Sequence, residues 1–331
     1  MTDRRSFLRC AAGALAAARI DVFAQPAERQ YRVGVLRPTG APKAPDPVQT
    51  EILLPRMLAQ MGYVGGRNLS IELRYAAGDL KRLPAMAREL VEMRMDVIVA
   101  VGAAALRAAM AATSSIPIVL WGNFDPVAEG FVASLAHPGG NVTGVLIASE
   151  GTFGAKKLEL LRQIVPSARR IAVLAPEDPA SAKAQMPELQ RVAGALSVEI
   201  PLFAVRGGDV EGVFARIAAS RSEAIFFLAS TYFMVDRRPW IAQALQSRLP
   251  AMWEWREQVV DGGLMSYGTS LESRIQRIAD YIGRILKGAN PGEIPIDMPT
   301  KFGLTLNLAT AKAIGLTFPQ SLLLRADEVI Q

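Results

Sequence analysis

The sequence predicts an α/β protein of two successive, similar lobes, and three observations carry that expectation. The chain has 331 residues, half of them hydrophobic, enough to bury a sizeable core and to divide into two domains. Short apolar runs alternate with segments of helical period, the pattern of parallel βαβ units. The rhythm pauses at SEGTFG (149–154), which lacks periodicity and holds two glycines, and then begins again.

The elements follow in order. YRVGVL (31–36) is the first strand. Ile52, Leu53, Met57, Leu58 and Met61 then recur at helical spacing, and Gly62 marks the stop. Strands are expected at 69–75 and 96–101, with a helix over 83–93 between them. DVIVAVG is almost wholly apolar, as suits a strand covered on both faces. A helix over 103–112 leads to the strand IPIVLW (116–121), a short helix, the Pro138-Gly139-Gly140 turn and a strand over 142–147. The second half starts with a helix carrying Leu158, Leu161 and Val165, then the strand RRIAVLAP (169–176). Later strands lie at 198–205, 224–229, 251–255 and 264–267. The helix over 271–286 has one apolar stripe of Leu271, Ile275, Ile278, Ile282 and Ile285, and Gly288 ends it. A stretch with Pro291, Pro295 and Pro299 precedes a last short strand and helix.

Crossings between the halves are expected at 148–153, at 266–269 and in the Pro-rich stretch. Residues 31–147 with 267–290 then form lobe 1, and 152–265 with 296–331 form lobe 2. Lobes hinged in this way close around a ligand held between them.

Residues 1–24 read as an export signal. Arg4 and Arg5 precede Phe7 and Leu8, an Ala-rich stretch follows, and Val22-Phe23-Ala24 offers a small-residue cleavage site. RRSFLR resembles the twin-arginine type, which exports folded proteins, so a periplasmic, monomeric mature protein is expected. Cys10, the single cysteine, lies inside that signal, and Leu8-Arg9 before it argue against a lipid anchor. The mature chain then has no thiol for a disulfide, a thiolate zinc site or a nucleophile.

The formal charge of +6 is scattered, with no block of like charges, which argues against a nucleic-acid groove. No apolar run after residue 30 is long enough to span a membrane. There is no GxSxG elbow and no HExxH, and the sole histidine, His137, sits beside a Pro-Gly-Gly turn. No GxGxxG follows a strand and no metal-ligand cluster is present, so neither a cofactor nor a metal is expected. A carboxylate pair stays open as a catalytic device, but nothing in the sequence marks one.

Five segments carry a family resemblance: GYVGGRNLSIELRYAAGD (62–79), NFDPVAEGFVASLAHPGGNVTGV (123–145), KLELLRQIVPSARRIAVL (157–174), DGGLMSYG (261–268) and PTKFGLTLNLATAKAIGLTFPQSLLLRADEVI (299–330). In content and order they resemble the ABC-transporter substrate-binding proteins of the tryptophan/tyrosine-binding type. The resemblance implies a type I periplasmic-binding-protein fold: two Rossmann-like lobes with parallel sheets, joined by a three-strand hinge. It also implies a small-molecule solute, an aromatic or branched amino acid or a related acid, and a membrane permease as partner. An extracytoplasmic sensing protein of the same fold is the alternative, and an exported α/β hydrolase ranks behind both. Two departures stand out. Ala103 follows Gly102 where family members often carry Thr or Ser, and Ser230-Thr231 replace an Asp-Pro after AIFFLA.

Ligands of open α/β lobes collect at the carboxyl ends of the strands, and four loops there supply candidates. Arg37 can pair with an anion or stay solvated. Gly102 and Ala103 open a helix whose free N–H groups suit a carboxylate. Trp121 offers an apolar wall and Asn123 a polar one, while Asp125 either neutralises an ammonium or caps a helix. In the second half the candidates are Ser230, Thr231, Tyr232, Trp253, Glu254 and the hinge residue Tyr267. Trp253 and Trp255 flank Glu254 near the end of their strand, and one of them is expected at the cleft or both in the core.

Overall fold

The computed structural model describes residues 29–42, 50–147, 153–176, 178–205 and 208–331. The expected export signal, and residues 148–152 of the crossing expected at 148–153, lie outside the described residues.

Lobe 1 is laid down as β1 (Tyr31–Arg37), α1 (Thr50–Gln60), β2 (Leu69–Tyr75), α2 (Leu83–Glu92), β3 (Val97–Val101), α3 (Ala103–Ala112), β4 (Ile118–Gly122) and β5 (Val142–Leu146). Its five strands are all parallel, in the order β2-β1-β3-β4-β5. β3, β4 and β5 are buried along their whole length because helices cover both faces.

Lobe 2 follows with α4 (Phe153–Ile164), β6 (Ile171–Pro176), α5 (Pro179–Ala195), β7 (Leu202–Val205), α6 (Val210–Ala219), β8 (Ala224–Phe227), α7 (Tyr232–Val235), α8 (Arg237–Gln246), β9 (Ala251–Trp253), α9 (Arg256–Val260) and β10 (Met265–Gly268). The chain then returns to lobe 1 as α10 (Leu271–Leu286). It ends in lobe 2 with β11 (Gly303–Asn307), α11 (Leu308–Ala313), α12 (Gln320–Leu323) and β12 (Glu328–Ile330). The second sheet has the order β12-β11-β10-β9-β8-β6-β7.

The strands of that sheet are parallel except at β10 and β11, which pair antiparallel. The exception arises from the path of the chain. After α10 the backbone runs along the edge of β5, where Asp297 N–H donates to the Gly144 carbonyl and Leu146 N–H to the Asp297 carbonyl. It therefore enters the second sheet from the hinge end, antiparallel to β10, and β12 follows β11 in the same direction.

α10 shows how sequence becomes tertiary structure here. The Ser270 side chain caps its start by accepting from Ser273 N–H, and its stripe of Leu271, Ile275, Ile278 and Ile282 is fully buried against α1 and the first sheet. Burying each such side chain stabilises the fold by about 1.5–3 kcal/mol. The helix stops at Gly288, whose φ of +98° belongs to the left-handed region that glycine adopts without strain.

Two local expectations need correction. The segment after β4 is a succession of turns rather than a short helix. Gly130 and the Pro138-Gly139-Gly140 run break any continuation, and Phe124 and Phe131 pack edge to face at 5.8 Å to hold the turns in place. The strand expected over 251–255 ends at Trp253, because Gln258 of α9 turns back and accepts from both Glu254 N–H and Trp255 N–H. Among the described residues no helix is long and apolar enough to cross a membrane.

Candidate ligand-binding cleft

The carboxyl ends of the parallel strands in the two sheets face each other across a narrow cleft of about 630 Å³, its open mouth included. Lobe 1 lines it with Pro38-Thr39 past β1, Gly102-Ala103 past β3, Asn123-Phe124 past β4 and Ile147 past β5. Lobe 2 contributes Pro176 and Asp178 from β6, Ser181 of α5, Val205 of β7 and Ser230-Thr231-Tyr232 past β8. Most of this wall is apolar or backbone. Among the described residues that line the cleft, Asp178 alone carries a charge.

The turn at Gly102 positions one wall. Gly102 has φ +84°, which an L side chain rarely adopts, and its N–H donates to the Trp121 carbonyl at 2.8 Å. That kink aims the first N–H groups of α3 into the cleft, and one of them is already used. Ala104 N–H donates to Asp178 Oδ2 across the cleft at 3.2 Å, while Asp178 Oδ1 accepts from Ala180 N–H at 3.1 Å and caps α5. One carboxylate thus sits between the positive ends of two helices from different lobes.

Other polar groups of the wall are less committed. Thr39 is 7 % exposed and its hydroxyl has no hydrogen-bond partner. Ser230 Oγ accepts from Tyr232 N–H, and the Tyr232 hydroxyl accepts from Gly208 N–H. Beside the cleft, Glu129 of lobe 1 binds Lys183 of lobe 2 at 3.1 Å and Arg107 at 2.8 Å. Those two cations hold its carboxyl below the usual range, although pairs this exposed contribute little to stability.

The candidates from the sequence divide sharply. Gly102, Ala103, Asn123, Ser230, Thr231 and Tyr232 all lie on the cleft wall. Arg37 does not; it is 3 % exposed and gives its guanidinium to Glu51 Oε1 at 2.8 Å, with Tyr75 on the same oxygen. Trp121 is sealed in the core beneath it, and Asp125 caps the turn after β4 by accepting from Val127 and Ala128 N–H. Trp253 and Trp255 are both core residues, buried in separate clusters. Trp253 stacks on Phe227 at 4.0 Å, and Trp255 joins the cluster that packs under α10.

Glu254 does not line the cleft either. It is 2 % exposed and bound at 3.0 Å to Lys157 Nζ, which also donates to the Phe227 carbonyl. Burial pushes the Glu254 carboxyl up to about 7 and the Lys157 ammonium down, and their mutual attraction offsets part of each shift. Tyr267 packs against Phe153 and Phe302 at ring distances of 5.8 and 5.9 Å, and those two rings meet at 4.9 Å, a hinge cluster rather than a cleft wall.

Thr39, Ser181 and Asp178 join the wall without having been singled out by sequence. Asp178 had a visible signal, since Asp178-Pro179 comes after the strand RRIAVLAP as a helix cap at a strand end. The Asp-Pro missing after β8 stands instead after its sheet neighbour β6.

Known proteins share this architecture. A conserved domain protein from Vibrio cholerae O1 biovar El Tor superposes with a TM-score of 0.80 at 27% identity, covering 91% of this chain and 100% of that one. A Streptococcus pneumoniae ABC domain in complex with L-Trp gives 0.77 at 23%, again with 91% and 100% covered. The tyrosine-binding protein of Clostridioides difficile is 25% identical over 263 residues, 79% of this chain and 75% of that protein. The fold is thus of the type I periplasmic-binding kind. The family model described as ABC transporter substrate binding protein matches residues 54–330, and the chain belongs to that family.

Proposed function

We propose that the chain is the extracytoplasmic solute-binding component of an ABC uptake transporter, which captures one small organic solute between its lobes and delivers it to a membrane permease. The observation that carries this is the cleft, walled by strand ends of both sheets and supplied with an apolar lining and the unpartnered Thr39 hydroxyl. A solute touching both walls stabilises the closed form by its differential affinity for it. No bond in the solute breaks; the cleft is lined for recognition, with neither a histidine nor a carboxylate pair among its described residues.

The apolar wall and Tyr232 suit a solute with an aromatic or branched body, of the amino-acid class or a derivative of it. The relatives named for tyrosine and L-Trp support the same class. Export through the Arg4-Arg5 signal and action as a monomer complete the proposal.

A thermal-shift and calorimetric screen of the mature chain tests it, across amino acids, their amides and amines, and aromatic acids. One-site stabilisation is expected, reaching about 2.7 kcal/mol at a hundredfold excess over Kd. Tryptophan fluorescence should respond only weakly, because all four tryptophans are at most 3 % exposed. Turnover of an ester or glycoside without any ligand stabilisation would overturn the proposal.

A further inference from the structure

We infer that Asp178 occupies the carboxylate position of the cleft, so that the solute is an amine or amide bearing no free carboxylate there. The inference rests on the solute-receptor reading and narrows its ligand class. The first turn of α3 is the anion-holding device of the lobe 1 wall, since its N–H groups lack partners within the helix and face the cleft. Ala104 N–H is donated to Asp178 Oδ2, and that oxygen would lie 3.7 Å from a Cβ placed on Gly102. Asp178 is also no swinging surface group. Its Oδ1 caps α5, and Pro179 stands at the helix start.

Charge argues in the same direction. No Lys, Arg or His is among the described residues that line the cleft. A solute carboxylate against this wall would therefore face the Asp178 carboxylate with no cation among the described lining residues, in a partly enclosed space where like charges repel more than in water. Each Asp178 oxygen carries one hydrogen bond in the structure, and a carboxylate oxygen accepts two. The spare positions suit an ammonium or amide N–H. A second, independent observation points to an occupant. The Thr39 hydroxyl in the same wall is 7 % exposed with no partner, and a buried polar group of this kind calls for one in the bound state.

The test is calorimetry on the mature wild-type chain, Asp178→Ser and Asp178→Asn. The ligands are L-phenylalanine, L-phenylalaninamide and phenethylamine, with L-tryptophan, L-tryptophanamide and tryptamine as a second set. Ser and Asn both keep the α5 cap, and circular dichroism with the ligand-free Tm confirms folding. Wild type should bind the amides and amines at least about tenfold more tightly than the free acids. Asp178→Ser, with the α3 N–H groups released, should reverse that order. Asp178→Asn keeps the α5 cap through its one oxygen but sets an amide NH2, a donor, where Oδ2 accepted from Ala104 N–H, and with the charge gone it should lose the preference for amines. Free acids bound by wild type as tightly as their amides, or an unchanged ranking in Asp178→Ser, would overturn this inference and leave the receptor reading intact. No binding of any ligand to any of the three proteins would overturn both.

Discussion

Asp178 and Glu254 stand just past the ends of β6 and β9 in one sheet, yet the first faces the cleft and the second is sealed in the core. The difference comes from the helix that succeeds each strand. After β6, Asp178 is itself extended and starts a long helix with its carboxylate as the cap, so the side chain stays at the strand-end surface. After β9, Gln258 of the short helix α9 folds back on the Glu254 and Trp255 backbone. The Glu254 side chain then turns under the sheet to meet Lys157 of α4. A strand end presents its side chains to a ligand only where the next element begins far enough away to leave them there.

The largest test of this contrast removes the buried partner. Lys157→Met leaves the Glu254 carboxylate uncompensated and should cost about 3–5 kcal/mol in chemical denaturation. Burial already holds the Glu254 carboxyl up near 7, above its ordinary value of about 4.3. A raised carboxyl binds its proton more tightly in the folded state. Its contribution to stability is therefore present in full below the ordinary carboxylate range and is lost as pH rises through about 7. Without Lys157 the rise is larger, so the deficit of Lys157→Met should be clearly smaller at pH 5 than at pH 8. A deficit independent of pH would show that Glu254 is not the group left exposed to the change.

Next in size is the aromatic contrast between Tyr232 on the wall and Trp253 behind it. Tyr232→Ala should weaken solute binding by about 2 kcal/mol, the worth of a large side chain's apolar contact. Trp253→Phe should lower stability and leave affinity unchanged, since Trp253 stacks on Phe227 inside the lobe. Equal losses of affinity in both variants would erase the distinction between wall and core. Below these, Asp125→Ala removes a cap that holds two N–H groups and should cost about 1 kcal/mol of stability with no effect on affinity.

How legible this was in the sequence depended on the range over which each feature is decided. β2, α3 and α10 fall on the residues their periodicity indicated, because an apolar run or stripe is local information. Gly102 on the cleft wall is equally local, a strand-to-helix turn. The Trp253-Glu254-Trp255 cluster looked like a ligand wall because aromatics and an acid at a strand end have the right composition. Its burial is sealed by Lys157, nearly a hundred residues earlier, and no local pattern announces that pairing. Asp178 is the opposite case: by its neighbours in sequence it is an ordinary helix cap, and only the approach of α3 from the other lobe makes it a cleft residue.

The smallest expected effect separates cleft from core most cleanly. Thr39→Val replaces a buried, unpartnered hydroxyl by a methyl of the same shape. In a core position that exchange helps and nothing is lost, because an unsatisfied polar group is disfavoured away from water. In a ligand wall the signs divide. The ligand-free variant should unfold at a slightly higher denaturant concentration, by a few tenths of a kcal/mol up to about 1. Its affinity for the solute should fall by a similar amount, since the hydroxyl's missing partner is supplied by the solute itself. Stability and affinity moving in the same direction would place Thr39 with Glu254 and Trp253, as part of the scaffold behind the cleft.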